Sequence, residues 1–331
     1  MLNQSAIWSK FNQLNKHKKL NEEDLKQIVL DISRNTLNSH DVLISKKDIG
    51  RHVSWECFYV QIKNEEEKDI IIPFENPEEI LIRAGRDKYN SDGQELKSLE
   101  WILPPFQSMG KIQEYLTTEN KKNIEEMYSL EYLSTMVINK YSKTEYIVEF
   151  NDIIKEAVEV FCLGYKKSAI VLLLTAIEGI LKSIAGDKLI DTNLNNFHIV
   201  FKDVIKFYLE NFKDKILFYN CWCPEKYRED KFLRKIDETV DAMLTLEEYF
   251  NEFLYVRSER FHGNTNLNRH IILHGLCIDY DDSLNFYKLI SCIDCIVFLI
   301  CITGVGSLFP PKYTEESIIY FYKLKQLSNK F

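Results

Sequence analysis

Within the stretch Leu254 to Gly275 the chain gathers three of its seven histidines together with three arginines, Arg257, Arg260 and Arg269. An imidazole titrates near neutral pH, so it can take a proton from a ribose 2′-hydroxyl or give one to a departing 5′-oxygen. A guanidinium beside it can grip a phosphate and stabilise the charge that builds on five-coordinate phosphorus. That equipment suffices for RNA cleavage without a metal or any other cofactor. Two arrangements compete within the stretch. In the first, Arg257 to His262 ends an amphipathic helix, Ser258 follows the arginine, and Gly263 supplies the left-handed residue of a helix stop. In the second, Arg269 to His274 lies on a short helix capped by Asn268 and terminated by Gly275. Five positions along a straight helix set two Cα atoms about 140° apart around the axis, so Arg257 and His262 converge only if the helix ends near the histidine.

A metal reading uses the same residues differently. His270 and His274 have the i, i+4 spacing of a helical zinc site, with His262 or Cys277 as third ligand and Cys221 and Cys223 as remote thiolates. Ile271 stands where the zinc-protease pattern needs a glutamate, and Cys221-Trp222-Cys223 is too sparse for a closed site, so no metal is expected.

The elements that must position these groups are mostly helical. Ile147 to Cys162 is an amphipathic helix closed by Gly164. Tyr165 to Ala185 is apolar nearly all round, but Thr175, Glu178 and Lys182 recur at i, i+3 and i+7 as a narrow polar stripe. Such a stripe should face a cleft or a partner, because an unpaired buried carboxylate is costly. Phe197 to Phe212, Leu233 to Phe261 (one helix, or two with a capping box at Thr245 and Glu248), Ser283 to Thr303 and Tyr313 to Leu327 complete a bundle. Upstream, Leu20 to Ser33 reads as a helix, and Val53 to Ile62 with Ile70 to Phe74 reads as a hairpin across the charged loop Lys63 to Asp69. Asp87 to Gly93 and Leu103-Pro104-Pro105 are loops. The fold class is therefore mainly α: a smaller mixed α+β region over 1–144, a helical domain over 145–305, and a C-terminal helix over 306–331.

Composition narrows the function. The 331 residues suggest about two domains, and 42 Lys and Arg against 50 Asp and Glu leave a net charge of −8. A broadly basic coat is excluded, so any contact with nucleic acid must be a local patch. The N-terminus lacks the basic and apolar regions of a signal peptide, which points to the cytoplasm. The eight cysteines are scattered through apolar runs and suggest no disulfide framework, and Cys295 to Ile302 is too short to span a bilayer. Tyr320, Phe321 and Tyr322 are expected to pack against the bundle.

The string Leu254-Tyr255-x-Arg257-Ser258-x-x-x-His262-Gly263 resembles the signature of the HEPN superfamily, whose ribonucleases carry an Arg, a polar residue, a few further positions and a His. The run Ala169 to Leu181 resembles that family's core helix with its embedded acid, Glu178. The likeness covers roughly residues 145 to 305 and leaves the N-terminal part unexplained. It implies a HEPN-like bundle with Arg257 and His262 catalytic, Ser258 as the polar residue, and Glu178 orienting Arg257. Arg269 and His274 remain the second candidate pair; otherwise Arg260, Arg269, His270 and His274 contribute charge toward RNA. The resemblance further implies a homodimer with a composite cleft, and a role as a toxin or in abortive-infection defence, with an antitoxin or phage-derived trigger as a further partner and no membrane. A non-catalytic interaction module, with Glu178 and Arg257 as a structural pair, is the rival reading.

Overall fold

The computed structural model describes residues 2–34, 36–49, 55–63, 67–83, 95–117, 121–304 and 306–329. The expected loop at Asp87 to Gly93 lies outside them, as do Val53 at the head of the first expected strand and residues 64–66 of the charged loop. The chain is mainly α with one small sheet, and it forms two compact units: Met1–Lys88 with Asn211–Asp241, and Tyr89–Glu210 with Ala242–Phe331. This division differs from a cut at 144. The described residues from 95 to 144 group with the helical unit, and 211–241 return to the sheet.

In the first unit the strands β1 (Val42–Ile49), β2 (Trp55–Ile62), β3 (Asp69–Pro73) and β4 (Cys221–Trp222) lie in the order β1-β2-β3-β4. β1 and β3 flank β2 antiparallel, while the two-residue β4 runs parallel to β3. The expected hairpin is thus the β2–β3 pair, with Tyr59 opposite Ile71. Asp69 is not part of a solvated loop: its carboxylate accepts from the Tyr59 hydroxyl at 2.7 Å and the Ile62 N–H at 3.1 Å, which closes the turn. The helices Gln4–Asn15 and Glu22–Ser33 bury Ile7, Phe11, Leu25 and Val29 against Phe58, Val60, Ile70 and Ile72. Asn21 starts the second helix with a capping box that includes Asp24.

The helical unit is organised around the Ser283–Thr303 helix, buried over most of its length. Lys166–Lys188 packs against it, and Asn151–Cys162 packs against Lys166–Lys188. Gly164, at φ +81°, reverses the chain between those last two helices, as its position in the sequence suggested. Phe161 stacks on Phe286 at 3.8 Å and 7°. The C-terminal helix, Glu315–Ser328, belongs to this unit: Tyr320 is buried with its hydroxyl donating to the Lys155 carbonyl, whereas Tyr322 is exposed.

The run from 233 breaks at Asp237, not at Thr245. Asp237 Oδ1 accepts from the Thr239 and Val240 N–H groups and starts the Glu238–Tyr249 helix, with Thr245 in its interior. All eight cysteines are free. Among the described residues two helices, Lys166–Lys188 and Ser283–Thr303, are long and apolar enough to cross a membrane, and both are mostly buried within the protein.

Candidate active site

The helix expected to run into Arg257 ends earlier. Its last turn, Phe250–Leu254, is wide, with the Tyr255 N–H donating to the Phe250 carbonyl five residues back. Arg257 then precedes a single tight turn, Ser258–Arg260; Phe261 leaves it with extended backbone, and His262 follows outside any helix or strand. Gly263 has no left-handed backbone; a Cβ there would strike the Phe261 ring at 2.4 Å, so the glycine makes room for that ring. The helix end at which Arg257 and His262 were expected to converge is therefore not formed.

The second arrangement is built as its spacing predicts. Arg269–Leu273 is a short helix; Asn268 Oδ1 accepts from the His270 and Ile271 N–H groups at 2.9 and 3.2 Å, and Gly275 follows at φ +68°. Asn268 does more than cap. Fully buried, it donates through Nδ2 to the carbonyls of Phe253 and Val256 at 2.8 and 2.9 Å, tying the two basic stretches to each other. The chain between them is pinned as well. The buried pair Lys288 and Glu100, 3.2 Å apart, holds Thr265 through its hydroxyl, and Glu100 accepts from the Asn264 N–H. Burial among these groups pulls the Lys288 ammonium below its usual range, although Glu100 opposes that shift.

Glu178 is half-buried on the Lys166–Lys188 helix, and its partner is Arg269 rather than Arg257. Arg269 Nε lies 2.5 Å from Oε1 and Nη2 lies 3.4 Å from Oε2, a two-point grip between residues remote in sequence. The Tyr255 hydroxyl is buried in the field of the same pair, and burial first, then Glu178, raises it well above its usual range.

Around this pair opens a cleft of about 850 Å³. Glu178 and Lys182 line it, so the polar stripe does face a hollow; Arg257, Arg260, Arg269 and His270 line it from the 254–275 stretch. The Phe197–Phe212 helix and the residues before it contribute Asn193, Asn195, Asn196, Phe197 and His198, and Asn251 enters from the wide turn. Among the described lining residues, four cations thus face one carboxylate, in a chain whose total is −8. Both imidazoles of the cleft titrate below their ordinary value. For His270 the causes are burial, then Arg269 and His274; for His198 they are burial, then Lys202 and Arg257. At neutral pH both are uncharged.

Of the residues singled out from the sequence, Arg257, Arg260, Arg269, His270 and Glu178 come together here. Ser258 and His262 do not line the cleft; His262 is exposed. His274 is also exposed, its ring parallel to that of His270 at 6.1 Å. No group of three or more His, Cys, Asp or Glu that could hold a metal ion exists among the described residues. His198 and the asparagine wall escaped the sequence reading, because nothing local links them to Arg269. The one available signal was the start of a periodic helix at Phe197. No protein family, curated protein or solved structure matches the chain.

Proposed function

We propose that this cleft cleaves RNA without a metal, by attack of a ribose 2′-hydroxyl on the neighbouring phosphate. The observation that carries the reading is the Glu178–Arg269 pair standing among further cations and uncharged imidazoles in one hollow. A guanidinium has five N–H donors; the grip on Glu178 occupies two and leaves three for a phosphate. Glu178 fixes the plane of Arg269, so the remaining donors need little reorganisation as charge builds on phosphorus. His270, next to Arg269 and uncharged at neutral pH, is the proton acceptor. Arg257, Arg260 and Lys182 neutralise adjoining phosphates.

The working arginine in this proposal is Arg269, and Arg257 becomes an RNA contact. His262, outside the hollow, has no part. The partners are RNA and a second copy of the chain; exposed Leu273, Leu276 and Ile278 around His274 support the second, and sedimentation velocity tests it. The likeness to HEPN ribonucleases extends the proposal to a toxin or anti-phage role, for which growth arrest on induced expression is the check.

The decisive experiment is incubation of mixed RNA with the purified chain in EDTA, followed by analysis of the ends. Products with 2′,3′-cyclic phosphate and 5′-hydroxyl are expected. Arg269→Ala and His270→Ala should abolish them while His262→Ala retains them. An inert wild-type protein that still binds RNA through the cleft would favour the non-catalytic module.

A further inference from the structure

Cleavage by a 2′-hydroxyl requires two proton transfers. As the O2′–P bond forms, the hydroxyl proton must go to a base; as the P–O5′ bond breaks, the departing oxygen must receive a proton from an acid. His270 beside Arg269 supplies one of these. The described residues that line the cleft include one other imidazole, His198, which comes from a different helix.

Resting on the ribonuclease reading above, we infer that His198 is the second proton carrier of the cleft and protonates the 5′-oxygen as it leaves. The side chain is placed for this from two directions. Its ring meets Phe201 edge-on at 5.2 Å and 89°, which orients the imidazole. The ring of the adjoining Phe197 lies 4.4 Å from that of Tyr255, the buried residue in the field of Glu178 and Arg269, so the start of this helix is seated against the support of the phosphate clamp. His198 itself is exposed toward the hollow, where a substrate oxygen can reach it. The step starts from protonated His198 and uncharged His270, a state populated below neutral pH: His270 takes the O2′ proton, O2′ bonds to phosphorus, O5′ departs, and the His198 imidazolium gives its proton to O5′. The two imidazoles end in exchanged protonation states, which solvent resets.

The charged groups facing these rings set the pH response. Lys202 and Arg257 act on His198, while Arg269, His274, Glu178 and Glu259 act on His270. Burial first, and then the cations, holds both rings below their ordinary value, so the activity maximum should fall on the acid side of the usual imidazole range.

The test uses the intact chain and two RNAs, one ordinary and one with sulfur replacing the bridging 5′-oxygen at the cleavage site. A thiolate leaves without needing a proton. His198→Ala and His198→Gln should cut ordinary RNA about 10²- to 10⁴-fold more slowly, as loss of a general acid requires, yet cut the sulfur-bridged RNA at close to the wild-type rate. His270→Ala should be slow on both. If the His198 variants match wild type on ordinary RNA, or are slow on both substrates while retaining the wild-type melting curve, the assignment of His198 fails and the ribonuclease reading stands. If the wild-type chain cuts neither RNA, the ribonuclease reading itself fails, and His198 with it.

Discussion

Arg269 and Glu178 show how one side chain sets the geometry of another. With the carboxylate removed, the guanidinium keeps its charge but loses its fixed plane. Glu178→Gln should therefore lower single-turnover cleavage on the order of 10²-fold, the usual consequence of a displacement near 1 Å, with a smaller effect on RNA affinity. His274 contributes through charge: it helps hold the neighbouring His270 below the ordinary imidazole range. Its removal raises the proton affinity of His270, so the base stays protonated to higher pH. The acidic limb of the pH–rate profile of His274→Ala should shift upward, and an unmoved limb would show that the two rings do not communicate. At this scale the sequence singled out Glu178 and the arginines of the basic stretch but set Glu178 beside Arg257, whereas the structure pairs it with Arg269. Glu178 was legible as a polar break in an apolar helix; its choice of Arg269 over Arg257 was not, since both arginines occupy the same basic stretch.

Among the elements, the 254–275 stretch depends on Asn268 to hold its two arms together. Replacing it with alanine removes a helix cap, a loss of about 0.5–2 kcal/mol, and leaves the Phe253 and Val256 carbonyls without that donor, a further ~1–3 kcal/mol if they stay buried. Asn268→Ala should lower the urea midpoint with an unchanged slope, and cleavage should fall even in the fraction that remains folded. Most helices could be read from periodicity, and Phe197 to Phe212 and Ser283 to Thr303 have the bounds their apolar spacing suggested. β1 could not: Ser45-Lys46-Lys47-Asp48 at its centre carries almost no apolar alternation, because an edge strand is kept polar and obtains its order from β2. β4 is two residues long and exists only through its parallel pairing with β3. The break at Asp237 was missed because Thr245 and Glu248 had the better capping spacing, yet Thr245 lies well inside a continuous helix.

For the whole molecule, the proposed binding of RNA by a chain of net charge −8 would have to rest on a small cationic area, and this gives a salt prediction. If the four cations of the cleft each meet a phosphate, log affinity for single-stranded RNA should fall against log salt with a slope of about −2.8. A slope near zero would remove the cleft as the RNA contact. Stability against pH should carry the mark of Asp294. Burial raises this carboxyl from 3.8 to about 7, against the hydroxyls of Tyr141 and Tyr132, which donate to it at 2.6 and 2.7 Å. The folded chain thus binds this proton more tightly than the unfolded one. Its contribution is complete below the unfolded value and is lost as pH rises through about 7. Asp294→Asn should flatten that part of the stability profile, measured by urea unfolding at successive pH values. By itself the sequence determined the helical class, the amphipathic faces, the Asn268 cap with its Gly275 stop, and a basic, histidine-rich stretch fit for phosphate chemistry. These follow from residue type and short-range spacing, which act within a turn or two of chain. Tertiary structure alone decided that Arg269 takes Glu178, that His262 stays outside while His198 enters, and that 211–241 joins the sheet. Each depends on contacts between distant parts of the chain, whose formation is set by packing of apolar surfaces and leaves no local pattern.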